Sequence, residues 1–182
     1  MRKLLTALVM LGMTSNLATA ATLGEKQAGS FANIYASLCL KHLNHLDELR
    51  EKLQAMPKLP AEKAAHFLAG KAGDAWPVPD QHGTFVLALA FEKNFCAVYA
   101  RKADTEAAKQ QFARLVDNAP APLVVTRTAP ERTDTAANGT TETVSYTWAV
   151  PNGNRRMLFM LTTASAEYAQ LQVMASASLI NP

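Results

Sequence analysis

With only two cysteines in 182 residues, and neither beside the N-terminal apolar run, several classes of protein are excluded at once. No C-x-x-C pair places two sulfurs at a helix start to lower a thiol pKa, so that kind of redox chemistry is missing. No cysteine follows the apolar run, so composition excludes a lipid attached at a new N-terminal cysteine. Long hydrophobic runs are also lacking. Leu4 to Met13 is broken off by Thr14, Ser15 and Asn16, well short of the about 20 apolar residues that cross a bilayer. The local signatures G-x-S-x-G, P-loop, H-E-x-x-H, G-x-G-x-x-G and the kinase set occur nowhere in the sequence. Charge of one sign is scarce as well: 18 Lys and Arg stand against 15 Asp and Glu, and Arg2 and Lys3 lie at the extreme N-terminus. Nucleic acid is therefore not an expected partner.

What is present begins with a secretory signal over residues 1–20. Arg2 and Lys3 form its charged start, Leu4 to Met13 its apolar centre, and Ala18-Thr19-Ala20 a small-x-small cleavage site. Residues 21–182 then make a single domain, long enough to bury a core of its own. The expected location is periplasmic or secreted, with no membrane span after the signal is removed. Such compartments oxidise thiols, and Cys39 and Cys96 each sit in an apolar stretch, so the expectation is one structural disulfide between them. Closing so long a loop stabilises a fold by roughly 4 kcal/mol on the chain-entropy account.

The first third reads as helical. Ala28, Phe31, Ile34, Tyr35, Leu38 and Cys39 recur at three and four, which predicts one amphipathic helix from Gln27 to Leu43 with Cys39 toward the core. A second stripe, Leu46, Leu49, Leu53 and Met56, follows an Asn44 cap and stops before Pro57. Pro60 opens a third helix through Ala61 to Ala69, which Gly70 ends. Gly73 to Asp80 contains Pro77 and Pro79, which lack ladder donors, and so reads as a loop or an edge. Thr84 to Glu92 and Phe95 to Arg101 are nearly continuous apolar runs around a Lys93-Asn94 turn, as a buried hairpin requires.

Asp104 or Thr105 caps a helix over Glu106 to Val116. Leu123 to Thr128 alternates weakly, and Pro130 to Asn138 reads as an exposed loop. Val144, Tyr146, Trp148 and Val150 alternate with polar or small neighbours, and Pro151-Asn152-Gly153-Asn154 is a hairpin turn leading to a strand from Arg155 to Thr163. The last strand is Gln170 to Leu179. These elements predict an α+β domain, N-terminal helices first, with an antiparallel sheet of about five or six strands and the helices packed on one face.

Tyr35-x-x-x-Cys39 on a first helix, Phe95-Cys96 on the second strand of an early hairpin, Phe112 on the following helix and Trp148 on a late strand form a recognisable set. In these features the chain resembles an uncharacterised family of small two-cysteine exported proteins and lipoproteins of Gram-negative bacteria. The resemblance covers most of residues 21–182 and implies an exported domain. It supplies no functional residue to carry over, and this chain departs from the lipoprotein members by lacking the cysteine at the processing site.

Few residues carry chemistry. His42 and His45, with Asp47 and Glu48 beside them, are the only cluster of potential metal ligands, since an i,i+3 pair on one helix face can hold a divalent ion. The alternative is a solvated face near a helix junction. Trp76 lies in a proline-rich segment, where an exposed indole would suit a binding interface. Arg155 and Arg156 beside the Asn-Gly turn could grip an anionic partner, or simply guard a strand start. No catalytic residue and no cofactor is nominated. The functional expectation is a periplasmic, non-enzymatic binding or interaction protein of inhibitor, immunity or envelope-complex accessory type, with a protein partner in the cell envelope. The alternatives are a small metal-dependent hydrolase built on His42 and His45, and a small-molecule or lipid carrier.

Overall fold

Thr22 starts the first helix with a reciprocal cap. Its hydroxyl accepts from the Glu25 N–H while the Glu25 carboxylate accepts from the Thr22 N–H, satisfying donors that the first helical turn leaves free. The computed structural model describes residues 20–91 and 94–180. The expected secretory signal, apart from Ala20, and Lys93 of the expected Lys93-Asn94 turn lie outside the described residues. From Thr22 the chain forms α1 (Leu23–Ile34), which continues into a π-helical segment, Tyr35–Leu40. The single helix expected over this region is thus underwound in its second half, where the hydrogen bonds span five residues and Tyr35 and Cys39 are both buried.

After α2 (Leu46–Leu53) and α3 (Ala61–Leu68) come β1 (Gly73–Val78), β2 (Phe85–Ala90) and β3 (Phe95–Ala100). Then follow α4 (Thr105–Val116), β4 (Val124–Arg127), β5 (Glu131–Thr135), β6 (Gly139–Ala149), β7 (Arg156–Ala164) and β8 (Val173–Ile180). The fold class is α+β, and the sheet is antiparallel. Among the described residues it has eight strands in the order β1-β2-β3-β8-β7-β6-β4, with β5 also pairing β6. The last strand returns to the middle of the sheet, so β8 joins the early hairpin to the late one.

The count exceeds the expected five or six for an identifiable reason. The segment read as an exposed loop, Pro130 to Asn138, contains β5, whose five residues are all exposed and polar. A strand without a buried face shows no apolar alternation. It is held instead by the backbone ladder to β6, by Arg132 paired with Glu142, and by the Thr140 hydroxyl donating to Asp134 at 2.6 Å. The weakly alternating Leu123 to Thr128 contains β4, and the proline-containing Gly73 to Asp80 contains the edge strand β1.

The sheet has two faces, and the helices are not confined to one. Phe85, Leu87 and Leu89 of β2, with Cys96 and Val98 of β3, meet α1, the π-helical segment, α2 and α4 in the main core. Their alternates, Val86, Ala88, Ala97 and Tyr99, face Ala64 and Leu68 of α3 in a second core. A strand that is apolar at every position needs cover on both sides, and α3 supplies it over the β1-β2-β3 end. Gly73 makes that close approach possible, because a Cβ there would collide with the Leu89 carbonyl and the Leu68 side chain.

The helix ends follow local chemistry. Asp104 caps α4 by accepting from the Ala107 N–H at 2.7 Å, and Ala69 and Gly70 turn the chain out of α3 with φ values of 47° and 76°. The expected Asn44 cap of α2 is not formed: His45 occupies the N-cap position without a side-chain hydrogen bond, and the Asn44 side-chain Oδ1 accepts from Arg155 instead. The hairpin turn at Pro151 to Asn154 places Asn152 at φ 63°, within the range that Asn tolerates.

The Cys39–Cys96 disulfide is present, with Cα atoms 5.4 Å apart. It ties the π-helical segment to β3, and one helical turn earlier the Tyr35 hydroxyl donates to the Ser176 carbonyl of β8 at 2.9 Å. Tyr35 also touches Phe112, which stacks edge-on with Tyr146. At the end of α4, the Trp148 indole donates to the Val116 carbonyl at 2.7 Å.

Candidate functional site: a groove on the second face

The residues singled out from the sequence do not converge. Trp76 corrects one expectation: it is 1% exposed and belongs to the main core, so it is not an interface side chain. Pro77 does confine the strand to the sheet edge, but alternation turns the Trp76 side chain inward. Arg155 is spent on Asn44, while Arg156 pairs in register between Ala149 and Ile180.

His42 and His45 do not share one continuous helix face. His42 closes the first helical stretch, a turn at Leu43 and Asn44 intervenes, and His45 precedes α2. Burial, with Lys52 and Lys41 adding to it, holds the His42 imidazole below its usual pKa. His45 is exposed, with Nδ1 4.0 Å from Glu48. Among the described residues no group of three or more His, Cys, Asp or Glu side chains is placed to hold a metal ion.

A groove of about 880 Å³ lies elsewhere, beside α3. Its floor is a register row of the sheet: Pro77 of β1 is opposite Val86 of β2, which is opposite Tyr99 of β3. Leu59, Lys63, His66 and Phe67, from α3 and the residues before it, build one wall. The other wall is Ala137 and Asn138, from the β5–β6 turn, with Gln170 and Leu171 from the approach to β8. These two loops are tied together, since the Leu171 N–H donates to Asn138 Oδ1 at 3.1 Å and the Gln170 N–H to the Ala137 carbonyl at 3.3 Å. Thr84 and Arg101, joined by a backbone hydrogen bond, close the end beyond β2 and β3.

The floor is apolar in practice as well as in composition. The Tyr99 hydroxyl donates to the Phe67 carbonyl at 2.6 Å, and its ring meets Phe67 edge-on at 5.1 Å. Burial pushes the Tyr99 phenol up to about 12, so it remains neutral at ordinary pH. Every ionisable group lining the groove other than this phenol is a base: Lys63, His66 and Arg101. None of the three makes a side-chain hydrogen bond or ion pair among the described residues.

A smaller polar cavity of about 230 Å³ beneath α4 makes the contrast. There Glu142 accepts from Lys109 at 2.7 Å and from Arg132 at 3.1 Å, and Lys109 also meets Glu106 at 3.0 Å. These charges satisfy one another. Hydrogen bonds from Lys109 and Arg132 hold the Glu142 carboxyl below the usual range, while its partners raise Lys109 against the opposing effect of burial.

The groove is not visible in the sequence because its residues come from six separate segments. A partial signal was there: Phe67 falls between Ala64 and Leu68, and the continuous apolar run of β2 demands something on its second face. Among the described residues no helix is long and apolar enough to cross a membrane. Comparison of the chain with protein-family models, with curated proteins and with solved structures finds no match.

Proposed function

We propose that the protein is an exported, non-enzymatic binding protein that takes a small ligand in the groove beside α3. The observation that carries this reading is the groove itself: an apolar floor, a few converging polar groups, and a volume of about 880 Å³. Sites for small molecules span roughly 300–1,000 Å³ and have this make-up. The carrier reading thereby moves ahead of the protein-partner reading, whose aromatic anchor, Trp76, is buried. Export to a periplasmic or secreted location accords with the N-terminal charged and apolar segment and with the disulfide, which persists in oxidising compartments.

Native mass spectrometry of the mature, oxidised protein, purified from its host without detergent or chelator, tests the proposal. The expected result is a stoichiometric small-molecule mass that is lost on denaturation. A bound divalent metal accompanied by hydrolytic activity that His42→Ala abolishes would overturn it in favour of the hydrolase.

A further inference from the structure

The groove's charges narrow the ligand to one chemical class, and this step rests on the reading above. We infer that the groove binds a single-chain amphipathic carboxylate, its head held by Lys63 and Arg101 and its apolar body lying on Val86, Tyr99, Phe67 and Leu171. Lys63 and Arg101 have no side-chain partner among the described residues. In the smaller cavity each charge has a partner of opposite sign, whereas Lys63 and Arg101 line a larger concavity that has no carboxylate in its lining among the described residues. Like charges gathered beside a low-dielectric wall create a potential that attracts an anion. His66 and the Gln170 amide add uncommitted polar groups along the same rim.

The floor excludes a wholly polar anion. The row Pro77, Val86 and Tyr99, with Phe67 and Leu171 above it, offers apolar surface, and the one hydroxyl in it is already committed to a backbone carbonyl. A free phosphate would leave that surface wet. An apolar chain covering it gains about 25 cal/mol per Å² of apolar area removed from water. A cationic amphiphile would meet Lys63 and Arg101 with like charge.

Calorimetric titration of the mature, oxidised protein with monomeric decanoate, decyltrimethylammonium and uncharged decyl glucoside tests this assignment. The expected result is one decanoate per chain, bound at least tenfold more tightly than the cationic amphiphile, with affinity falling as salt rises. Arg101→Glu and Lys63→Glu, both exposed sites, should each weaken decanoate roughly fivefold while leaving the circular dichroism spectrum unchanged. Equal binding of all three amphiphiles, indifferent to the charge reversals, would overturn the anion assignment and leave the small-ligand reading standing. Binding of none, with no small-molecule mass in the native spectrum, would overturn both. Binding to phosphatidylglycerol vesicles but not to monomeric decanoate would overturn the inference in favour of a membrane surface.

Discussion

The Tyr35 hydroxyl donates to the Ser176 carbonyl across a sequence separation of 141 residues, joining the start of the π-helical segment to the central strand β8. Tyr35 has no exposed surface, and burial raises its phenol well above the ordinary value. Replacing it by Phe removes the donor and keeps the ring. Tyr35→Phe should cost about 1 kcal/mol, read as a lower urea midpoint with unchanged slope. The raised phenol also sets the sign at alkaline pH. The folded state retains its proton where the unfolded chain loses it, so Tyr35 favours folding fully below about pH 10 and progressively less above it.

Four residues beyond Tyr35, Cys39 fastens the same segment to β3. Replacing both cysteines by Ala should lower stability by about 4 kcal/mol, less any strain relieved. Because the cross-link constrains the unfolded chain, the variant should also unfold with a steeper dependence on denaturant. An unchanged midpoint in the reduced wild-type protein would show that the bridge adds nothing.

Acid should weaken the tie between α4 and the β5–β6 hairpin. The Glu142 carboxyl is held below its unfolded value by Lys109 and Arg132. Its contribution is therefore complete above about pH 5 and is lost as pH falls through its lowered folded value. Glu142→Gln should flatten the acid limb of the stability profile measured between pH 6 and pH 2. A limb of unchanged steepness would place the acid sensitivity elsewhere.

Gly73→Ala should destabilise by about 1–3 kcal/mol, because the added Cβ strikes the Leu89 carbonyl and the Leu68 side chain. Since α3 builds one wall of the groove, the substitution should also weaken ligand binding, which a titration at a temperature where the variant stays folded will show.

Much of this architecture was legible in the sequence, for reasons that particular residues make plain. Local chemistry dictates the start of α4 at Asp104, the end of α3 at Ala69 and Gly70, and the turn at Asn152, so each could be read from a few neighbours. The Cys39–Cys96 pairing followed from there being only two cysteines, each in an apolar stretch. Two features were hidden. Strand β5 buries nothing and leaves no periodic trace, being defined by its partner β6. The second face was implied by the continuous apolar run of β2, yet nothing local says that α3 alone crosses to cover it. The groove is a consequence of that crossing, together with two loops tied at Asn138 and Leu171, and such long-range coincidences do not appear in spacing. Trp76 shows the converse, for a proline-rich neighbourhood placed its strand at the edge without saying which way its side chain turns.

The claim that the groove is the ligand site is tested most directly by methyl-resolved NMR of the oxidised protein during a decanoate titration. Leu59, Val86 and Leu171 should shift in a saturable manner, while Leu53 and Leu161 in the main core stay in place. Shifts confined to the main core, or no shifts at concentrations where calorimetry detects binding, would contradict the account.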